Sequence, residues 1–268
     1  MGKRIAVITG ASSGMGREFL RQLDAAERFD EIWAIARHPE KLEDLRPGLR
    51  AELRLIPLDL TKADSGKVYA DLLEAEQPEA AVLVNAAGYG VFGAFAERDL
   101  ENQLGIIDLN DKALVRMTAL TLPYLSRGSR VYQMGSLSSF QPVPYINVYG
   151  ASKAFVLSFS RALNSELKPR GIRVMAVCPG WVRTDFFDRA VSDDTIIYYN
   201  RWYTPDQVVT RALRDMGRGK DVSVCGLSVR LQVLMVKLLP HRLVMRIWCA
   251  QQKQPRGEKD AGKTEKSC

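Results

Sequence analysis

The chain has 268 residues, 46% of them hydrophobic, and carries a net charge of +7, enough apolar material for one large α/β core or two small ones without covalent staples. The charge is uneven: from Gly226 to Cys268 nine basic residues meet three acidic ones, which puts +6 there and leaves about +1 for everything before. The basic balance therefore describes a tail and argues against a nucleic-acid-binding face. Cys178, Cys225, Cys249 and Cys268 lie far apart with no Cys-x-x-Cys pair, which suggests neither a disulfide framework nor a metal site but reduced, cytoplasmic thiols. A strand-like run starts already at Arg4, so no secretion signal is expected.

Ile5 to Thr9 reads as the first strand and Gly14 to Ala26 as the helix after it, with Gly10, Gly14 and Gly16 in the turn between them. There the backbone must turn sharply and come close to a pyrophosphate, an approach that side chains would block. Ile32 to Ala36 reads as the second strand. Dinucleotide sites of this kind usually end it with an acidic residue for the ribose hydroxyls, whereas Ala36 and Arg37 stand here. The planar fork of an arginine pairs with a 2′-phosphate, which predicts NADP(H) rather than NAD(H).

Leu53 to Pro57 and Ala80 to Asn85 read as the third and fourth strands, with a helix over Lys62 to Glu76. Asn102 to Leu122 has the spacing and length of one helix, and Asn110 lies inside it. Asparagine is a mediocre helix former, so this position invites a specific role, with a kink or a cap as the plain alternative. Arg130 to Met134 is the fifth strand, Val148 to Lys168 a long helix and Ile172 to Cys178 the sixth strand. Strands separated by helices pair in parallel, which makes this a doubly wound α/β sheet.

On the helix from Val148, Tyr149 and Lys153 stand four residues apart and share a face, so the ammonium can sit beside the phenol and stabilise its ionised form. Free tyrosine titrates near pH ~10, too high for ready proton exchange at neutrality. Lys153 and an oxidised nicotinamide would supply the missing charge. With Ser136 thirteen residues before Tyr149, the set implies carbonyl chemistry on a nicotinamide cofactor.

From Thr184 to Thr204 the chain is irregular and aromatic, with Phe186, Phe187, Tyr198, Tyr199, Trp202 and Tyr203. Loops after strands line the crevice in such sheets, and this one reads as a flap over the substrate. Residues 229–250 are rich in Leu, Val and Met, punctuated by Arg230, Lys237, Arg242 and Arg246, and divided by Pro240 into two short helices. Their apolar stretches fall far below the ~20 residues that cross a bilayer. Two readings stand: an amphipathic hairpin on an anionic membrane with Trp248 at the boundary, or an extension covering the substrate cleft or a partner subunit. Residues 251–268 are charged and lack apolar content, which predicts disorder. The expected division is a catalytic domain over 1–225, a helical extension over 226–250 and a charged tail over 251–268.

Thr9-Gly10-x-x-x-Gly14-x-Gly16, Asp59-Leu60, Asn85-Ala86-Ala87-Gly88, Asn110, Ser136, Tyr149 with Lys153, and Pro179-Gly180 followed by Thr184 occur in that order. From about Lys3 to Cys225 this resembles the short-chain dehydrogenase/reductase family, in its compact, bacterial-type, single-domain form. The resemblance implies a Rossmann-like, three-layer α/β/α fold and assigns roles. Ser136 would hydrogen-bond the substrate oxygen and Tyr149 would give or take the proton. Lys153 would hold the nicotinamide ribose and lower the phenol pKa, and Asn110 would keep a water in line with Lys153. The implied cofactor contacts are Gly10, Ser12, Ser13, Gly14, Met15, Gly16 and Arg37, then Asp59 and Leu60 beside the adenine. They continue with Asn85, which would brace the central sheet near the ribose, with Ala86, Ala87 and Gly88, and with Pro179, Gly180, Val182 and Thr184, the last at the carboxamide. Asp59 as a helix cap and Asn85 as a strand-end turn residue are the structural alternatives.

Asp111 departs from the family, which usually has an apolar or small residue after the asparagine; it could introduce a negative charge near the Asn110–Lys153 relay, but helical neighbours lie about 100° apart, which favours a side chain that points away from the site. His38 and His241 lie outside every motif and read as solvent-facing or locally bonded. The expectation is an NADP(H)-dependent oxidoreductase that interconverts a carbonyl and a secondary alcohol on a small hydrophobic substrate, hydroxysteroid-like or an acyl ketone. The resemblance further implies a homodimer or homotetramer paired through the two long helices. A non-catalytic NADP(H)-binding regulatory or scaffolding protein is the alternative, and an epimerase or dehydratase of the extended branch would need a longer carboxyl-terminal domain.

Overall fold

β1 (Arg4–Thr9), β2 (Glu31–Ala36) and β4 (Glu79–Asn85) are buried along almost their whole length, as parallel strands covered on both faces must be. The computed structural model describes residues 2–191, 193 and 195–252. With β3 (Glu52–Pro57), β5 (Arg130–Met134), β6 (Arg173–Val177) and β9 (Val222–Ser223) these strands form one sheet in the order β3-β2-β1-β4-β5-β6-β9, parallel at every pairing. The winding reverses between β1 and β4, so a crevice opens at their carboxyl ends.

Period-two alternation sends Ala6 and Ile8 of β1 to one side of the sheet and Ile5 and Val7 to the other. The first side is covered by α1 (Gly14–Ala26) through Phe19, Leu20 and Leu23 and by α7 (Pro205–Gly217) through Val208, Val209 and Ala212. The second is covered by α2 (Ser65–Glu76), α4 (Leu114–Thr121) and α5 (Asn147–Leu167), through Tyr69, Leu73, Met117 and Leu167. Each fully buried side chain such as Leu20 contributes about 2 kcal/mol. The result is the expected Rossmann-like, three-layer α/β/α fold.

Several elements differ from the sequence expectation. The helix expected over Asn102 to Leu122 is α3 (Leu100–Ile107), then a π-helical turn over Asp108–Ala113, then α4. An inserted residue widens such a turn and reorients the side chains on it. β9 was not expected: it pairs through two residues only, Val222 with Ala176 and Ser223 with Val177, too few to show a period. The aromatic flap is not wholly irregular, since it contains α6 (Phe186–Ala190) and β8 (Trp202–Tyr203), the latter pairing in parallel with β7 (Trp181–Val182).

After β9 come α8 (Leu227–Leu238) and α9 (His241–Gln251), parted at Pro240 as expected. Their inner faces bury Val229, Val233, Val236 and Val244. Trp248 is committed inward and not to a membrane boundary: its indole N–H donates to the Pro144 carbonyl at 3.0 Å, and its ring lies 6.5 Å from that of Trp181. Of the stretch expected to be disordered, Gln251 closes α9, and Gln252 is buried with its carbonyl accepting from the Ile197 and Tyr198 N–H groups, both at 3.0 Å. Residues 253–268 lie outside the described residues. No helix among the described residues is long and apolar enough to cross a membrane.

Candidate active site

At the carboxyl end of the sheet a cleft of about 630 Å³ runs from the first turn of α1 to the aromatic flap. Its walls contain nearly every residue the sequence singled out: Gly10, Ser12, Ser13, Gly14, Met15 and Gly16; Arg37, Asp59 and Leu60; Ala86, Ala87 and Gly88; Ser136, Tyr149 and Lys153; and Pro179, Gly180, Val182 and Thr184. Asn85 and Asn110 are not on the wall.

The glycine turn owes its composition mostly to the protein itself. Gly10 has φ +64°, and a Cβ there would lie 2.7 Å from the Ala87 backbone nitrogen; a Cβ on Gly16 would lie 2.3 Å from the Gly10 carbonyl oxygen. Close approach to a ligand is therefore not what these two require. Gly14, with φ +49°, does border the cleft, 3.0 Å from the Thr184 methyl if given a Cβ. Ser13 precedes α1 in extended backbone and its side chain makes no cap bond, so the first-turn N–H groups face the cleft as an anion site. A dinucleotide fits this end of the cleft: open helix N–H groups for a pyrophosphate, with cationic side chains beyond.

Those cations are Arg37 and Lys62, both exposed on the cleft wall; the sequence reading placed Lys62 only at the start of a helix. Asp59 beside them braces a turn and is not a helix cap, since α2 begins only at Ser65. Its carboxylate accepts from the Thr61 N–H at 3.0 Å and the Thr61 hydroxyl at 2.7 Å. Burial raises the Asp59 carboxyl, but those bonds and the charges of Arg37 and Lys62 outweigh it and hold the group below its ordinary range.

Asn85 belongs to the scaffold. Its amide donates to the Thr118 hydroxyl at 3.0 Å and to Gln133 at 2.9 Å, bracing β4 against α4 and β5 instead of lining the cofactor wall. Asn110, on the π turn, is fully buried and binds both backbone groups of Tyr89: its carbonyl accepts from the Tyr89 N–H at 3.1 Å and its amide donates to the Tyr89 carbonyl at 3.0 Å. The same amide donates to the Ser152 hydroxyl at 3.1 Å. Gly88 lies between this residue and the lysine, since a Cβ there would be 2.8 Å from the Asn110 carbonyl oxygen and 3.5 Å from Lys153 Nζ.

Ser136 opens a 3-10 turn over Leu137–Phe140, its hydroxyl oxygen accepting from the Ser138 N–H at 3.2 Å. Acceptance from the backbone leaves its own O–H to donate into the cleft. Lys153, near the start of α5, is buried and donates to the Met134 carbonyl at 2.8 Å, with Nζ 5.6 Å from the centre of the Tyr149 ring. Burial pushes this ammonium down to about 8, with the charge of Asp111 opposing.

In the polypeptide alone the phenol is raised, not lowered. Burial pushes Tyr149 up to about 12, with hydrogen bonding to Ser136 pulling the other way. The ammonium lies near the ring and is bonded to Met134, so the polypeptide alone does not bring the phenol towards neutrality, which leaves the oxidised nicotinamide as the other half of the expected charge. Asp111 takes the other of its two readings, a charge near the relay. The π turn leaves its Oδ1 buried without a hydrogen-bond partner, and burial pushes the carboxyl up to about 6, against the pull of Lys153. It is thus coupled to the lysine and not turned away. Cys178 lies behind Gly135, where burial pushes the thiol up to about 12, so it stands protonated.

At the far end Phe186, Phe187, Trp181, Phe92, Tyr198 and Trp248 line the cleft, and the Phe186 ring lies 5.5 Å from that of Tyr149. Gln232 of α8 and Gln251 of α9 also reach it, so the carboxyl-terminal extension covers the substrate side, the second of its two readings. Sequence reasoning missed Gln232, Gln251, Phe92 and Trp181; Trp181, directly after the Pro179-Gly180 motif, was the one with a usable signal.

A sequence model of the short chain dehydrogenase family matches residues 4–195. The chain is 36% identical over 207 residues to sulfoacetaldehyde reductase 2 of Chromohalobacter salexigens, covering 70% of this chain and 79% of that one. It is 33% identical over 190 residues to very-long-chain 3-oxoacyl-CoA reductase-A of Danio rerio, covering 67% and 58%. The solved short-chain dehydrogenase from Sphingobium yanoikuyae in complex with NADPH superposes with a TM-score of 0.74 at 26% identity, over 96% of this chain and 99% of that one. The protein belongs to the short-chain dehydrogenase/reductase family. It is an oxidoreductase acting on CH–OH groups with a nicotinamide dinucleotide.

Proposed function

We propose that the protein interconverts a ketone and a secondary alcohol on an apolar substrate, with NADP(H) as its dinucleotide. The convergence of Ser136, Tyr149 and Lys153 in one cleft, below an aromatic ceiling, carries this reading. When bound, the dinucleotide supplies or accepts the hydride and, oxidised, brings positive charge to the phenol. Ser136 donates a hydrogen bond from its hydroxyl to the substrate oxygen and orients it. Tyr149, protonated throughout the neutral range, delivers a proton to that oxygen in reduction and takes one back in oxidation. Lys153 holds the ribose hydroxyls and, while charged, favours the phenolate. Asn110 acts from behind the wall by fixing Tyr89 and the Gly88 turn beside Lys153.

Arg37 and Lys62, both on the cleft wall and both acting on Asp59, support NADP(H), since two cations suit a 2′-phosphate and Asp59 is already occupied by Thr61. The aromatic and extension-covered end supports a hydroxysteroid-like or acyl ketone substrate. The zebrafish relative named for 3-oxoacyl-CoA reduction is consistent with the latter. The protein acts in the cytoplasm, with peripheral membrane contact through residues 229–250. It assembles as a homodimer or homotetramer through α3 and α5, where Leu104, Ile107 and Phe155 are exposed.

The test is steady-state turnover with NADPH and NADH on a panel of apolar ketones, for the wild type and Arg37→Asp. NADPH should be preferred, and the substitution should shift the ratio of kcat/KM values towards NADH by about tenfold or more, as expected for a lost charge-assisted pair. An unchanged ratio removes the NADP(H) assignment. Cofactor binding without turnover on any ketone favours the binding-only reading.

A further inference from the structure

We propose that the outer face of the α8–α9 hairpin docks on an anionic phospholipid bilayer. α8 is apolar on two opposite faces. Val229, Val233 and Val236 are buried inward. On the other side Leu227, Leu231, Leu234, Met235 and Leu238 fall on a single stripe, because their spacings of four, three, one and three residues return to one face of a 3.6-residue turn. That stripe is open to solvent: Leu227 is 71% exposed and Leu238 77%. Leu243 and Ile247 of α9, four residues apart, add a second exposed apolar pair. The α8 stripe is continuous by its own helical spacing, and exposed apolar surface of this kind on a folded chain marks a docking site.

Charge selects the occupant. Between Gly226 and Gln252 the cations are Arg230, Lys237, Arg242 and Arg246, and there is no aspartate or glutamate; Lys237, Arg242 and Arg246 are exposed. A second copy meeting this face through a two-fold axis would set like charges against like with no carboxylate to answer them. Arg230 Nε donates to the Val224 carbonyl and Lys237 Nζ lies over the Phe140 ring, so Arg242 and Arg246 are the cations an anionic headgroup layer chiefly answers, while the leucine stripe enters the acyl boundary beneath. The twelve-residue α8, about 18 Å long, lies on such a surface and cannot cross it.

The same two helices wall the cleft through Gln232, Trp248 and Gln251, and Gln252 ties α9 to the flap at Ile197 and Tyr198. Docking therefore brings the substrate end of the cleft to the bilayer. If the ketone reductase reading above holds, the substrate is an amphiphile that partitions into the membrane and enters from that side.

The experiment is co-sedimentation of the full chain with vesicles of phosphatidylcholine alone or mixed with phosphatidylglycerol, at low and high salt, without cofactor or substrate. Its result is independent of any turnover. The wild type should partition to the anionic vesicles at low salt, and at least about tenfold less to the neutral ones or at high salt. Leu231→Ser with Leu238→Ser, and separately Arg242→Glu with Arg246→Glu, should each lower the partition about tenfold with the unfolding midpoint unchanged. Equal partition of the wild type and both double variants overturns the proposal. So does absence of binding to the anionic vesicles, and if the serine variant then also loses a self-associated form in solution, the face belongs to a second copy.

Discussion

Asp111 shows how one side chain can be misplaced by a sound local rule. Neighbours on an α-helix diverge by about 100°, yet the π turn puts this carboxyl within the field of Lys153 and buries one of its oxygens without a partner. Its folded carboxyl titrates near about 6, above the ordinary carboxylate value. A raised carboxyl contributes stability that is full below the unfolded value and is lost as pH rises through the folded one. At pH 7.5 Asp111 is therefore a burden and at pH 3.5 it is not. Asp111→Asn should stabilise the protein by about 1–2 kcal/mol at pH 7.5, after discounting for partial exposure, with the gain vanishing near pH 3.5. Urea unfolding at the two pH values checks this, and an equal effect at both would remove the titration from the explanation.

At the scale of elements, the α3–π–α4 segment trades helical regularity for a bond network. The Asn110 amide holds the backbone of Tyr89 and, through Ser152, the first turns of α5. Asn110→Leu keeps the volume and removes these bonds from a fully buried site, so urea unfolding should show a loss of about 2–4 kcal/mol; a loss below 0.5 kcal/mol would mean the turn holds itself. The elements most legible in the chain were those with strong periods. α1 appears over Gly14–Ala26 as expected, and six strands were found because buried parallel strands read as apolar runs. The π turn was not legible, since no residue pattern distinguishes i to i+5 from i to i+4 bonding. α7 carried a signal that went unused: Thr204 and Gln207 form a reciprocal cap around Pro205. In the candidate site, positions along the chain were legible and electrostatics were not. Spacing put Tyr149 near Lys153, but burial and the Met134 carbonyl, both tertiary, decide where the charge sits.

At the scale of the whole molecule, the α8–α9 stripe and the α3–α5 face are open apolar surfaces among the described residues. On the latter, Phe155 is 43% exposed and stacks on Phe159 at 5.9 Å, beside Leu104 and Ile107 of α3. Phe155→Glu would set a charge in a self-complementary contact, and sedimentation should then report a single chain of 30.0 kDa instead of a multiple of it. An unaltered oligomer would move the interface elsewhere. The cleft between these surfaces depends on one proton-transfer group, and its removal is the most direct test. NADPH consumption with an apolar ketone should fall at least about a hundredfold in Tyr149→Phe, with NADPH binding retained. Undiminished turnover in that variant would contradict the assignment of residue 149 as the proton donor.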